Sequence, residues 1–110
     1  MKKLFSILML SSISGVTFAE CAGGQCVAVD IDKLYVTTGN ITYVGTSGDE
    51  KLLNCSAEAG VYTTLDKNQV GADAIYATLL AAQMAGKKIN IRIVDGSQSC
   101  SIQYVTLERQ

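Results

Sequence analysis

The stretch Asp73–Val94, DAIYATLLAAQMAGKKINIRIV, decides how this chain folds. Ile75, Leu79 and Leu80, flanked by Tyr76 and Met84, recur at helical spacing and make one apolar stripe. Gly86 follows as the residue a helix needs just past its end, and Lys87-Lys88 sit beside the carbonyl end of the helix dipole. With no linker between them, Ile89, Ile91 and Ile93 then alternate with Asn90 and Arg92, the plainest strand pattern in the chain. Helix runs into strand here, and the remaining elements are read outward from that junction.

Upstream of the helix, Asp66 and Gln69 are spaced for a capping box, although Gly71 weakens the first turn and moves the firm helix start to near Ala72. Val61–Leu65 is extended, continuing a third strand at Lys51–Ser56 after a loop at Ala57–Gly60. Thr46–Glu50 has hairpin-turn chemistry, Ile41–Gly45 is a second strand, and Thr38-Gly39-Asn40 is a turn. In the first strand Val27, Val29 and Ile31 alternate with Ala28, Asp30 and Asp32. The phase then slips, because Leu34 and Val36 form the next inward pair. A bulge near Asp32-Lys33 in one long bent strand accounts for the slip, and two short strands with a kink between them are the alternative. Downstream, Asp95–Ser99 is a turn, Cys100–Leu107 the last strand and Glu108–Gln110 a tail. The order β-β-β-α-β-β with a bent first strand is the plan of the OB-fold, a five-stranded, partly open barrel. This places the chain as all-β with one helix, Ile75, Leu79 and Leu80 plugging the barrel end. Ala77, Ala81 and Ala82 allow close packing or a neighbouring subunit.

The 110 residues allow a single domain. Met1-Lys2-Lys3, the apolar run Leu4–Leu10 and Thr17-Phe18-Ala19 have the layout of a secretory signal peptide over residues 1–19, cut after Ala19. The apolar run is too short for a membrane span, which needs about 20 residues. Lipidation at Cys21 is disfavoured by Glu20, where a small residue is wanted. The domain expected at 20–110 carries seven cations against ten carboxylates, a net charge of −3, which argues against nucleic acid or an anionic membrane as partner. Phe5 and Phe18 depart with the leader, leaving Ile, Leu, Val, Ala and five Tyr to build the core. A core that small calls for staples. Cys21, Cys26, Cys55 and Cys100 supply them in an exported chain. Three pairings are possible. Gly23-Gly24 makes a tight Cys21–Cys26 loop feasible, and Cys55–Cys100 would tie two strands, so this pairing is favoured. With no C-x-x-C and no His, the spacings do not resemble a zinc site.

No enzyme constellation stands out. Lacking His, the chain cannot build a Ser–His or Cys–His pair. Asp30 and Asp32 share a strand face as solvated carboxylates, and Asp30, Asp32, Asp49 and Glu50 lack the oxygen spacing of a calcium loop. No catalytic residue, cofactor or metal is expected. Recognition would fall to the polar loops Thr37–Asn40 and Thr46–Glu50, with Thr38, Asn40, Tyr43, Ser47 and Asp49 as candidate contacts. Tyr43 is the tyrosine best placed to be exposed for stacking. Lys88, Asn90 and Arg92, beside Lys87, form the one basic cluster and a possible partner face.

The run from Tyr76 to Ile93, a Tyr-bearing helix followed by Ala-Gly-Lys-Lys and Ile-Asn-Ile-Arg-Ile, resembles the same segment in binding subunits of bacterial A-B toxins of the subtilase, typhoid and pertussis type. Asn54-Cys55-Ser56 is similar to a strand-three cysteine in that group. The resemblance implies an exported, disulfide-bonded OB fold that forms rings, binds glycans and accompanies a catalytic A subunit. It covers the second half of the chain. Those subunits are longer, contain Trp and carry a sugar-binding serine that has no counterpart placed here. The chain also resembles short secreted proteins of gamma-proteobacteria, which imply no function. Two readings follow: an oligomeric binding domain for glycan or protein, or a stand-alone periplasmic structural or inhibitor-like protein.

Overall fold

A computed structural model describes residues 19–110; the expected leader, Ala19 apart, lies outside the described residues. Among the described residues, seven strands make two sheets, accompanied by one α-helix. The first sheet orders β1 (Glu20–Ala22), β2 (Gln25–Val29), β6 (Ile89–Ile93) and β7 (Ile102–Thr106) as β1-β2-β6-β7. The second orders β3 (Ile31–Val36), β4 (Ile41–Thr46) and β5 (Thr63–Asp66) as β3-β4-β5. All the pairings within the sheets are antiparallel. The expectation of five strands in one barrel is thus replaced by seven strands divided between two sheets.

The expected long first strand is where the sheets part. It becomes β2 and β3, broken at Asp30, and the register shifts on each side of the break. Ala28 takes a positive φ of 55°, and its N–H is held by Asn90 Oδ1 at 2.8 Å, so a side chain replaces the lost ladder bond. Both early readings of the phase slip hold in part: the chain makes two strands, and each carries an irregularity.

Lys51–Ser56 does not form a strand. Asp49 accepts a hydrogen bond from Lys51 N and caps a single 3-10 turn at Glu50–Leu52 instead. The segment expected only as a continuation, Val61–Leu65, supplies β5 at Thr63–Asp66, because Thr63, Thr64 and Leu65 are all buried against the core. The helix α1 (Ala72–Ala85) starts where Gly71 allowed, but without the capping box. Asp66 closes its own turn on Asn68 N at 2.9 Å, six residues before the helix, and Gly71 (φ 89°) occupies the cap without a side-chain bond. At the other end Gly86 (φ 66°) donates to Ala82 and Gln83 carbonyls, and Lys87 N reaches Ala82 O at 2.9 Å, as a glycine stop requires.

Leu79, Ala72 and Ala82 are the fully buried helix residues, with Ile75 and Tyr76 packed beside them. They meet Val29, Val44, Leu65, Ile89, Ile91, Ile93 and Ile102 from the two sheets. The sheets join at one end through a parallel bridge between Thr64 and Ser101, where Thr64 N donates to Cys100 O at 3.0 Å. The disulfides are Cys21–Cys26, directly opposite on β1 and β2, and Cys55–Cys100, which anchors the loop before β5 to the entry of β7. Among the described residues no helix is long and apolar enough to cross a membrane.

Candidate functional site

Strand alternation on the second sheet sorts its side chains into two faces. Thr42, Val44 and Thr46 of β4 point inward and are buried. Lys33 and Tyr35 of β3 and Tyr43 of β4 lie on the outer face. The hairpin register sets Tyr35 directly opposite Tyr43, and Lys33 opposite Gly45. Tyr62 joins them from the tight turn before β5, in which Glu58 N donates to Tyr62 O and Tyr62 N returns to Glu58 O, both at 3.0 Å. Gly45 makes its place: a Cβ there would meet the Tyr62 ring at 3.4 Å and Lys33 Cβ at 3.6 Å.

The result is a triangle of rings. Their centroids lie 5.2 Å (Tyr35–Tyr43), 6.0 Å (Tyr35–Tyr62) and 5.8 Å (Tyr43–Tyr62) apart, and the planes are inclined by 46°, 68° and 54°. Such tilted pairs are the favoured geometry for aromatic quadrupoles. Lys33 Nζ stands 6.0 Å from the Tyr35 and Tyr62 centroids and 3.4 Å from the Tyr62 hydroxyl. Tyr35 remains 49% exposed, so the cluster is a surface feature and not core. Tyr35, Tyr43 and Tyr62, together with Glu58 and Ala59, line a concavity of about 240 Å³. Glu58 is held there by Ser99, whose hydroxyl donates to Oε1 at 2.7 Å.

A second, larger concavity of about 480 Å³ adjoins through Tyr62, with Lys33, Lys51 and the loop Thr46–Glu50 on its walls. That loop is set by a buried carboxylate. Glu50 Oε2 accepts from Thr46 N at 2.8 Å and Thr46 Oγ1 at 2.6 Å, and Gly48 N donates to Thr46 Oγ1 at 3.1 Å. Asp30 and Ser47 close the loop from the other side, with Asp30 N donating to Ser47 Oγ and Ser47 N to Asp30 O. Asp49 is held below its ordinary pKa chiefly by the Lys51 N–H, then by the Lys51 side chain.

The expected contact residues therefore separate. Tyr43 is in the cluster, and Ser47 and Asp49 line the adjoining groove. Thr38 and Asn40 are at the opposite end of the β3–β4 hairpin and line neither concavity. Asn40 has φ 64° and accepts from Lys67 N at 2.7 Å, a role in the turn. The basic face is engaged within the fold. Lys88 pairs with Asp30 at 2.9 Å, Arg92 with Asp95 at 3.5 Å, and the Asn90 side chain serves Ala28 N and Thr106 Oγ1.

Tyr35, Tyr62, Lys33 and Glu58 escaped sequence reading. For Tyr35 a signal existed: it and Tyr43 are equidistant from Gly39, so a hairpin turning there must set them opposite each other. Tyr62 had no such signal, because it arrives through the β4–β5 register. In comparisons with family models, curated proteins and solved structures, nothing matches this chain.

Proposed function

We propose that this chain is an exported, non-enzymatic binding domain that holds a glycan or protein ligand against Tyr35, Tyr43 and Tyr62. The observation that carries the reading is the triangle of tyrosines at the surface, Tyr35 exposed and Tyr43 and Tyr62 half-buried, with Lys33 on its rim, since grouped aromatic rings with hydroxyls offer apolar contact area and hydrogen-bonding groups together. Two disulfides fit an oxidising compartment, in agreement with the leader-like N-terminal sequence. The absence of His from the sequence removes the commonest general base. An OB-like plan opened into two sheets accounts for β2 running into β3, the helix between β5 and β6, and the parallel Thr64–Ser101 bridge. Kinship with toxin binding subunits, a catalytic A partner and ring assembly belong to the same proposal. The stand-alone periplasmic reading is favoured by one feature: Lys88, Asn90 and Arg92 are engaged internally.

Two measurements test this. On a glycan array the oxidised Glu20–Gln110 chain should bind, and Tyr35→Ala/Tyr43→Ala should not; equal binding by the double variant refutes the tyrosine site. Light scattering should give a mass of several chains if a ring forms, and a monomer supports the stand-alone reading.

A further inference from the structure

The tyrosine site is bracketed by one group of each charge. Glu58 lies in the smaller concavity with the three rings, fixed by Ser99 Oγ at 2.7 Å. Lys33 rises on the other side, 6.0 Å from two ring centroids and bonded to the Tyr62 hydroxyl. The ion pairs of the described residues, Lys51–Asp49, Lys67–Asp73, Lys88–Asp30 and Arg92–Asp95, involve neither Lys33 nor Glu58. An acid and a base that share a site without neutralising each other leave a dipolar field across it.

The rings favour one kind of cation. No two planes are parallel, so the cluster offers no common flat shelf for a sugar ring to lie across two tyrosines. The three rings line one concavity together with Glu58, so a cation placed there meets aromatic walls and a carboxylate, and a quaternary ammonium is the cation best suited to such walls, because it is weakly hydrated and has no N–H to satisfy. Lys33 already rests at the rim of this attraction. Its free N–H groups suit an oxyanion.

We infer that the site takes a phosphocholine group, its trimethylammonium over Tyr35, Tyr43 and Tyr62 beside Glu58 and its phosphate on Lys33. This rests on the binding-domain reading above and names the ligand chemistry of the same site. The group can be carried by a lipid or by a soluble or glycan-borne ester, and the chemistry recognised is the same. The concavity of about 240 Å³ admits a headgroup, and the adjoining groove of about 480 Å³ leaves room for whatever the phosphate is attached to.

The experiment is a titration of the oxidised protein, followed by tyrosine fluorescence and amide NMR shifts, with phosphocholine, choline, inorganic phosphate and a neutral monosaccharide as separate probes. Phosphocholine should bind most tightly, shifting residues around Tyr35, Tyr43, Tyr62 and Glu58. Tyr35→Ala should weaken it about fivefold or more, the scale of one lost cation–π contact. Lys33→Ala should reduce phosphocholine to the affinity of choline or below, and leave only the salt dependence that Glu58 contributes. Tyr104→Ala, which removes an exposed tyrosine of β7 on the other sheet, should change nothing. These substitutions are at exposed positions, and circular dichroism confirms the fold of each variant. Vesicles of phosphatidylcholine assign the source: binding competed by soluble phosphocholine identifies a lipid headgroup, and binding of the soluble ester alone identifies a free or glycan-borne one. Saturable binding of the monosaccharide with none of phosphocholine overturns the inference and leaves the binding-domain reading standing. No binding of any probe, together with a blank glycan array, removes both. Equal affinity for choline and phosphocholine overturns the role given to Lys33.

Discussion

Replacing each disulfide in turn by a pair of alanines separates two explanations of their effect. Cys55–Cys100 has a sequence separation of 45, and Cys21–Cys26 a separation of 5. Chain entropy lost from the unfolded state grows with the logarithm of that separation, giving about 4 kcal/mol for the long loop and about 2 kcal/mol for the short one. Packing argues the other way. Cys21 and Cys26 are both fully buried in the core, whereas Cys55 is only half-buried and Cys100 is the one buried member of its pair. If lost contacts governed, removing Cys21–Cys26 would cost more. Urea unfolding of the oxidised wild type and of both variants measures the free energies by linear extrapolation. The expected result is a loss of about 4 kcal/mol for Cys55→Ala/Cys100→Ala, roughly twice that of the other pair, with a steeper denaturant slope as the freed chain expands. A domain of this size has roughly 5–14 kcal/mol in total, so the long-loop variant should be marginal at body temperature. A larger loss from Cys21→Ala/Cys26→Ala would refute the entropic argument.

Four further outcomes follow from single side chains. Thr42 is wholly buried and its Oγ1 has no partner among the described residues, so Thr42→Val should stabilise by about 1 kcal/mol, and a lowered melting temperature would show that the hydroxyl is satisfied. A Cβ at Gly48 would stand 2.6 Å from Cys21 Sγ and 3.2 Å from Val29 Cγ1; Gly48→Ala should cost about 1–3 kcal/mol in urea unfolding, and a neutral result would mean that the loop shifts freely. Glu50→Ala removes both bonds to Thr46 and should destabilise by about 2–3 kcal/mol, with faster amide exchange across Ser47–Asp49; unchanged exchange there would rule out Glu50 as the loop's anchor. Because the folded pKa of Asp49 is depressed, its contribution is present above the unfolded carboxylate's pKa and is lost as pH falls below about 4, through the lower folded value. An NMR titration should place Asp49 below an unstructured reference and keep most of the depression in Lys51→Ala, since the backbone N–H is its main cause; loss of the shift in that variant would assign it to the side chain instead.

Local chemistry made parts of this structure legible before folding. The helix of Asp73–Val94 ends at Gly86 because a glycine accepts the left-handed φ that a helix stop needs, and Ile89–Ile93 alternates because a strand has a period of two. The pairing of the cysteines was favoured from Gly23-Gly24 and from the two strand-like surroundings of Cys55 and Cys100, and the disulfides are so paired. Where two local patterns competed, composition did not rank them. Lys51–Ser56 has strand composition, yet the buried Glu50 bonds back to Thr46 and coils the chain there. Asp66 and Gln69 have capping-box spacing, but Asp66 closes its own turn.

The candidate site divides along the same line. Tyr43 was singled out from its neighbourhood, and Tyr35 could have been paired with it from the turn between them, because hairpin register is set by local turn geometry. Tyr62, Lys33 and Glu58 come together only through the β4–β5 register, the opening left by Gly45 and the reach of Ser99 from before β7. Sequence alone determined the elements whose signals lie within a turn or two of themselves: one helix, its stop, the strand after it and the compartment-dependent staples. The division of the strands into two sheets and the gathering of three tyrosines between an acid and a base were decided by tertiary structure. Both depend on contacts between residues far apart in the chain, and local composition carries no term for these.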